Sequence, residues 1–86
     1  MTWYREDFVI KISTRKNKKY DVYQNEKYVC SFGQKGYQQY HDKFGYYSDL
    51  DHHDPQRRKA YKARFKKLID KNDDKKPTYW SNKFLW

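Results

Sequence analysis

A small α+β domain, an antiparallel meander packed against one basic amphipathic helix, is the fold class this sequence predicts. Three observations carry it. Short β-branched and aromatic runs alternate with period two early in the chain, the apolar pattern switches to period 3.6 beyond residue 36, and Asp54-Pro55 marks a helix start. With 86 residues there is room for one domain, and chains this short bury only about 60–65% of the surface they expose when unfolded. A mean hydropathy of −1.47 and 36% charged residues lean toward disorder, but 21% aromatic residues do not, because disordered segments are aromatic-poor. Ten Tyr supply apolar rings whose hydroxyls can reach the surface, which suits a small core that is wet at its rim.

The elements follow in chain order. Phe8, Ile10 and Ile12 alternate on one face of a β-branched run, which predicts a half-buried first strand over residues 8–13. The basic connector Arg15-Lys16-Asn17-Lys18-Lys19 has no apolar residue. Strands are expected over 19–24 and 27–32, joined by the two-residue turn Asn25-Glu26, with Tyr20, Val22, Tyr28, Cys30 and Phe32 on one face. Gly33 and Gly36 bracket the end of this three-stranded meander, and Tyr37, Tyr40 and Phe44 at helical spacing predict a helical turn over 36–43. Asp54 at the N-cap and Pro55 at the first helical position open a helix over 55–71. Its stripe of Tyr61, Phe65, Leu68 and Ile69 is expected to face the meander. After the polar break 72–77, Tyr79, Trp80, Phe84, Leu85 and Trp86 carry more apolar surface than a solvated tail does. A docked C-terminal segment, helical from about residue 77 to 83 and anchored by Trp80, Phe84 and Trp86, is the expectation; an insertion peptide for a partner is the alternative. In domain terms, 1–17 reads as an N-terminal extension carrying the first strand and 18–86 as a single α+β domain.

Charge is distributed unevenly. Residues 1–54 hold nine basic and eight acidic residues, whereas residues 55–86 hold eleven and three, so the second part carries +8 of the total +9. Such asymmetry points to a polyanionic partner, nucleic acid first and an acidic protein surface second. No Asp or Glu occurs between Pro55 and Ile69. Within the helix Lys59, Lys62, Lys66 and Lys67 lie away from Tyr61 and Phe65, and Arg57, Arg58 and Arg64 flank the apolar stripe. These seven are the candidate contacts; a Lys face that serves solubility alone is the competing explanation.

Signals for chemistry are sparse. Cys30 stands alone, so no intramolecular disulfide or Cys-rich zinc site is possible, and a reducing intracellular setting is the simpler expectation. No secretory leader pattern or membrane-length apolar window is present, which predicts a soluble protein without a membrane partner. The residues that resemble a metal or acid–base cluster are His41, Asp49, Asp51, His52, His53 and Asp54. Adjacent His52 and His53 point apart on an extended chain, Asp54 is occupied as a cap, and no His-x₃-His spacing exists. The ordinary role for such His is to satisfy carbonyls or pack beside Tyr, so no metal ligand, catalytic residue, cofactor or small-molecule substrate is assigned. Aromatic rings interleaved with Lys and Arg could stack single-stranded nucleic acid, but a core poor in aliphatics needs most of them.

The motifs Tyr20-Asp21-Val22-Tyr23, Ser31-Phe32-Gly33, Tyr37-Gln38-Gln39-Tyr40, Asp51-His52, Asp54-Pro55, Arg57-Arg58, Tyr61, Arg64 and the closing Trp80, Phe84, Leu85, Trp86 form an ordered set over residues 18–86. In these the chain resembles a family of small basic proteins of unassigned function from tailed phages of aquatic bacteria and from large eukaryotic DNA viruses. Phe65 departs from the pattern, which has His after the Arg. The resemblance implies viral origin and no catalytic residues. It leads to the expectation of a non-enzymatic virion or capsid-associated protein that contacts an acidic capsid surface or packaged nucleic acid, located in the virion and, during assembly, in the host cytoplasm. A free nucleic-acid-binding accessory protein is the alternative, and a small metal-dependent nuclease a distant third.

Overall fold

The computed structural model describes residues 1–86 and is α+β. Its sheet has four strands, one more than expected: β1 (Thr2–Arg5), β2 (Phe8–Ile12), β3 (Lys18–Gln24) and β4 (Lys27–Gln34), all antiparallel and in chain order. The added strand β1 pairs Thr2 with Lys11 and Arg5 with Phe8 across a two-residue turn in which Glu6 takes φ 57°. Thr2-Trp3-Tyr4 is strand-prone by composition. The β3–β4 hairpin turns through Asn25 (φ 51°) and Glu26 (φ 67°), the left-handed pair that lets a tight two-residue turn follow the strand twist.

One side-chain assignment within the hairpin is corrected. Val22 pairs with Cys30 but Tyr23 pairs with Tyr28, so Val29 is an extra residue and the register shifts there. The bulge resets the alternation. Cys30 and Phe32 point into the core as expected, whereas Tyr28 is exposed and its ring meets Tyr23 edge-on at 5.9 Å.

The helical part also differs from expectation. Residues 36–43 form an irregular segment with an isolated bridge at Gln39 rather than a helical turn, because their backbone groups bond outward: Gln39 N–H to the Leu50 carbonyl, His41 N–H to that of Leu85 and Lys43 N–H to that of Phe84. A single 3₁₀ turn occupies Ser48–Leu50. Asp54 caps α1 (Pro55–Arg64), its carboxylate accepting from the Gln56 and Arg57 N–H groups at 2.9 and 3.4 Å. The expected continuous helix over 55–71 is interrupted at Phe65 (φ −103°, ψ 15°), after which α2 (Lys66–Lys71) ends on left-handed Asn72. The bend breaks the stripe. Tyr61 is buried and Phe65 and Ile69 half-buried, but Leu68 stays 43% exposed.

Which helix covers the sheet also differs from expectation. α3 (Pro77–Phe84) lies against β4, and Trp80, Phe84 and Leu85 join Phe8, Ile10, Tyr20, Val22, Cys30 and Phe32 in one core. α1 buries only Tyr61, so it has too little apolar surface to replace α3 there. Its place is outside, on the tail. Gly33 allows the close approach of the last residues: it has φ +73°, and a Cβ on it would lie 2.9 Å from Leu85 Cδ1 and 3.0 Å from Lys19 Cδ. No helix is long and apolar enough to cross a membrane.

Candidate functional site

The docked tail is what positions the cationic helix. Tyr61 stacks flat on Trp86, with ring centroids 4.5 Å apart and planes within 4°, and its hydroxyl donates to Ser81 Oγ at 3.1 Å. Arg58 Nε donates to the Trp86 carbonyl at 2.7 Å, and its guanidinium lies over the Tyr40 ring at 4.9 Å. Trp80 and Phe84 are buried, and Trp86 is half-buried beneath α1. These three aromatics therefore dock within their own domain.

Six of the seven candidate cations divide between two sides of the α1–α2 segment. Arg58, Lys59, Lys62 and Lys66, with Pro55, Ala63, Ile69 and Asp70, line one open groove of about 540 Å³. Arg57 and Arg64 line another cleft of about 510 Å³ facing residues 33–39, together with Lys19, Tyr61, Phe65 and Trp86. Lys67 lines neither. Arg57 is engaged with Gln38 Oε1 at 2.8 Å, and Arg64 lies over the Phe65 ring at 4.9 Å. Of the seven, Lys66 has an acidic side chain within 4.0 Å, its i+4 neighbour Asp70 at 2.8 Å, and the other six have no Asp or Glu carboxylate that close. Lys62 donates to Asn82 Oδ1 at 2.7 Å, and its pKa is lowered by burial and by the positive charges of Arg58 and Lys43. The groove is thus a surplus of positive charge spanning α1 and the start of α2, and an anion placed in it would relieve the mutual repulsion.

A second constellation lies in the loop that precedes α1. Gln39 and Asp51 form a short parallel bridge, with the His52 N–H donating to the Gln39 carbonyl at 2.9 Å and that of His53 to the Tyr40 carbonyl at 3.0 Å. Two residues further along each of the two bridged segments, His41 and His53 fall side by side. His41 Nδ1 lies 3.1 Å from Asp51 Oδ2 and 3.2 Å from His53 Nε2, and His53 Nε2 lies 3.8 Å from the same carboxylate oxygen.

Asp51 is held from behind. Its Oδ1 accepts from Gln39 Nε2 at 2.6 Å and from the Asp42 N–H at 2.8 Å, and these bonds lower its pKa against the opposing effect of burial, the largest single influence. Gln39 Oε1 in turn accepts from the buried Lys19 ammonium, which also donates to the Tyr37 carbonyl at 2.7 Å. Asp42 accepts from the Tyr20 hydroxyl and from the Phe44 and Tyr47 N–H groups at 2.9 Å each, tying the loop to the core.

His52 faces the other way, as adjacency to His53 requires. Its Nδ1 accepts the Asp54 N–H at 2.9 Å, so the proton of the neutral ring is on Nε2, which is buried without a hydrogen-bond partner; the ring packs 5.1 Å from that of Trp86. The sequence puts His41, Asp51 and His53 among its candidate cluster with Asp49, His52 and Asp54, but nothing local to the chain shows that these three, and not the others, converge. The signal present was Asp51-x-His53, two positions that share a side on an extended chain.

Residues 8–65 match the model of a family described as "Family of unknown function (DUF5754)", and the chain belongs to that family. Comparison with curated proteins and with solved structures returned no match.

Proposed function

We propose that this protein is a non-enzymatic viral structural component that binds a polyanion, packaged nucleic acid before an acidic capsid surface, through the groove lined by Arg58, Lys59, Lys62 and Lys66. The observation that supports the reading is the convergence of these four cations, three from α1 and Lys66 from α2, on one open groove where Asp70 is the only acidic side chain. Phosphates entering such a groove release condensed counterions, which makes affinity strongly salt-dependent and indifferent to base sequence. The viral setting rests on the motif resemblance across residues 18–86.

Combined replacement of Lys59, Lys62 and Lys66 by Gln keeps helix propensity and leaves Arg58 on Trp86 and Tyr61 in place. Binding of a short DNA duplex by fluorescence anisotropy at several salt concentrations should weaken for all sequences. The log–log salt slope should become shallower by up to about 0.9 per phosphate contact removed. Lys67→Gln, outside the groove, should change the slope less. If the polyanion is instead an acidic capsid surface, the triple variant should be depleted from purified particles. Unchanged DNA affinity and salt slope together with normal incorporation would sink the proposal.

A further inference from the structure

The loop before α1 carries a second site of different chemistry. The geometry points to a binding site for a divalent first-row transition ion, of which Zn²⁺ is the type, formed by His41 Nδ1, His53 Nε2 and Asp51 Oδ2. The three atoms are 3.1, 3.2 and 3.8 Å apart. A circle through three points with those separations has a radius of about 2.0 Å, which is the size set by Zn–N and Zn–O bonds of about 2.0–2.2 Å in a near-tetrahedral arrangement. An ion seated just outside their plane lies within bonding distance of all three atoms.

Hydrogen bonding alone explains the cluster poorly. No neutral tautomer pair satisfies all three contacts, since a proton on His41 Nδ1 is shared between acceptors at 3.1 and 3.2 Å and a proton on His53 Nε2 instead leaves the Asp51 oxygen facing the His41 lone pair, whereas an ion takes one lone pair from each ligand. The ligands are also held in the manner of a metal site. Asp51, whose side chain is 3% exposed, has one oxygen fixed by Gln39 and the Asp42 N–H, which leaves the other aimed at the His pair. His53 takes φ 53°, a left-handed backbone conformation rare outside Gly, Asn, Asp and His, and that turn brings its ring onto His41, centroids 5.2 Å apart.

Two imidazoles with one carboxylate favour Zn²⁺, Co²⁺, Ni²⁺ or Cu²⁺ over Mg²⁺ and Ca²⁺, which take all-oxygen sites. Both His side chains are half or more exposed, at 50% and 60%, so the remaining coordination position opens to solvent and would hold water. The ion would clasp residues 39–41 to 51–53 immediately ahead of the α1 cap.

Equilibrium dialysis of the full-length protein against Zn²⁺ alone, with bound metal measured by mass spectrometry, should give one ion per chain. Co²⁺ substitution should add visible absorption bands of the intensity that low-coordinate Co²⁺ produces. His41→Ala and His53→Gly, the latter suited to the positive φ, should each weaken Zn²⁺ affinity at least tenfold and abolish the rise in melting temperature that Zn²⁺ produces in the parent. His52→Asn, which retains an acceptor for the Asp54 N–H, should bind as the parent does. Circular dichroism without metal checks that each variant is folded. The inference is overturned if the folded parent takes up no stoichiometric Zn²⁺, if Mg²⁺ competes at equal concentration, or if folded His41→Ala and His53→Gly bind Zn²⁺ like the parent.

Discussion

Replacement of Trp80 by Ala tests whether the last ten residues are the keystone of the fold. Trp80 is 2% exposed, meets Phe8 edge-on at 4.8 Å and Phe84 nearly parallel at 5.9 Å, and donates its indole N–H to the Asp74 carbonyl at 2.7 Å. A buried Trp removes roughly 150–250 Å² from water, which at about 25 cal/mol/Å² corresponds to roughly 4–6 kcal/mol. Measured Trp→Ala truncations in cores cost about 3–5 kcal/mol, because the cavity collapses only in part. An 86-residue domain is stable by roughly 4–13 kcal/mol in total. The variant should therefore lose between about a quarter and all of its stability. At about 4–8 °C per kcal/mol for a domain of this size, the melting temperature should fall by at least roughly 12 °C. Thermal and urea unfolding followed by circular dichroism measure this. Trp80→Phe keeps a ring against Phe8 and should lose about 1–2 kcal/mol, from the indole bond and part of the packing. If Trp80→Ala melted within a few degrees of the parent, α3 would not be the lid of this core.

Two further outcomes follow from single residues. Gly33→Ala should destabilise by about 1–2 kcal/mol from the left-handed backbone alone, and by more than Gly36→Ala does, since a Cβ at Gly33 meets Leu85 and Lys19 and one at Gly36 meets nothing within 4 Å; equal melting temperatures for the two variants would contradict the close approach of the tail. Burial pushes the Cys30 thiol up to about 11, so it should react with iodoacetamide at neutral pH only as fast as the protein unfolds; prompt stoichiometric alkylation of folded protein would contradict the core placement. Because the folded thiol holds its proton to higher pH than the unfolded one, its contribution is whole below pH 9 and is lost as pH rises toward 11. At about 1.4 kcal/mol per pH unit the loss is at most roughly 2–3 kcal/mol, and Cys30→Ala should flatten the fall in stability measured between pH 9 and 11.

What the sequence by itself determined are the features whose causes are local. Alternation at Phe8, Ile10 and Ile12 selects a strand with one buried face, Asn25-Glu26 accepts the two positive φ angles of a tight turn, and Asp54-Pro55 starts α1 by capping and by a preset φ. The apolar density after Trp80 requires burial somewhere, and a chain this poor in aliphatic residues offers it one core. Where that density goes was a tertiary decision. α3 outcompetes α1 for the sheet because it brings Trp80, Phe84 and Leu85 inside where α1 brings only Tyr61. One extra residue at Val29 turns Tyr28 outward, and the bend at Phe65 leaves Leu68 in water, and neither follows from a strictly periodic reading of the chain. The same holds for both candidate sites. Helical spacing groups Lys59, Lys62 and Lys66 on one face, but the tertiary structure, with Tyr61 seated on Trp86, decides that Arg58 joins their groove, that Lys67 does not, and that Arg57 and Arg64 line another. His41 and His53 are twelve residues apart, and they meet because the backbone of Gln39 bonds to Leu50 and His52, a pairing between distant segments that no local propensity encodes.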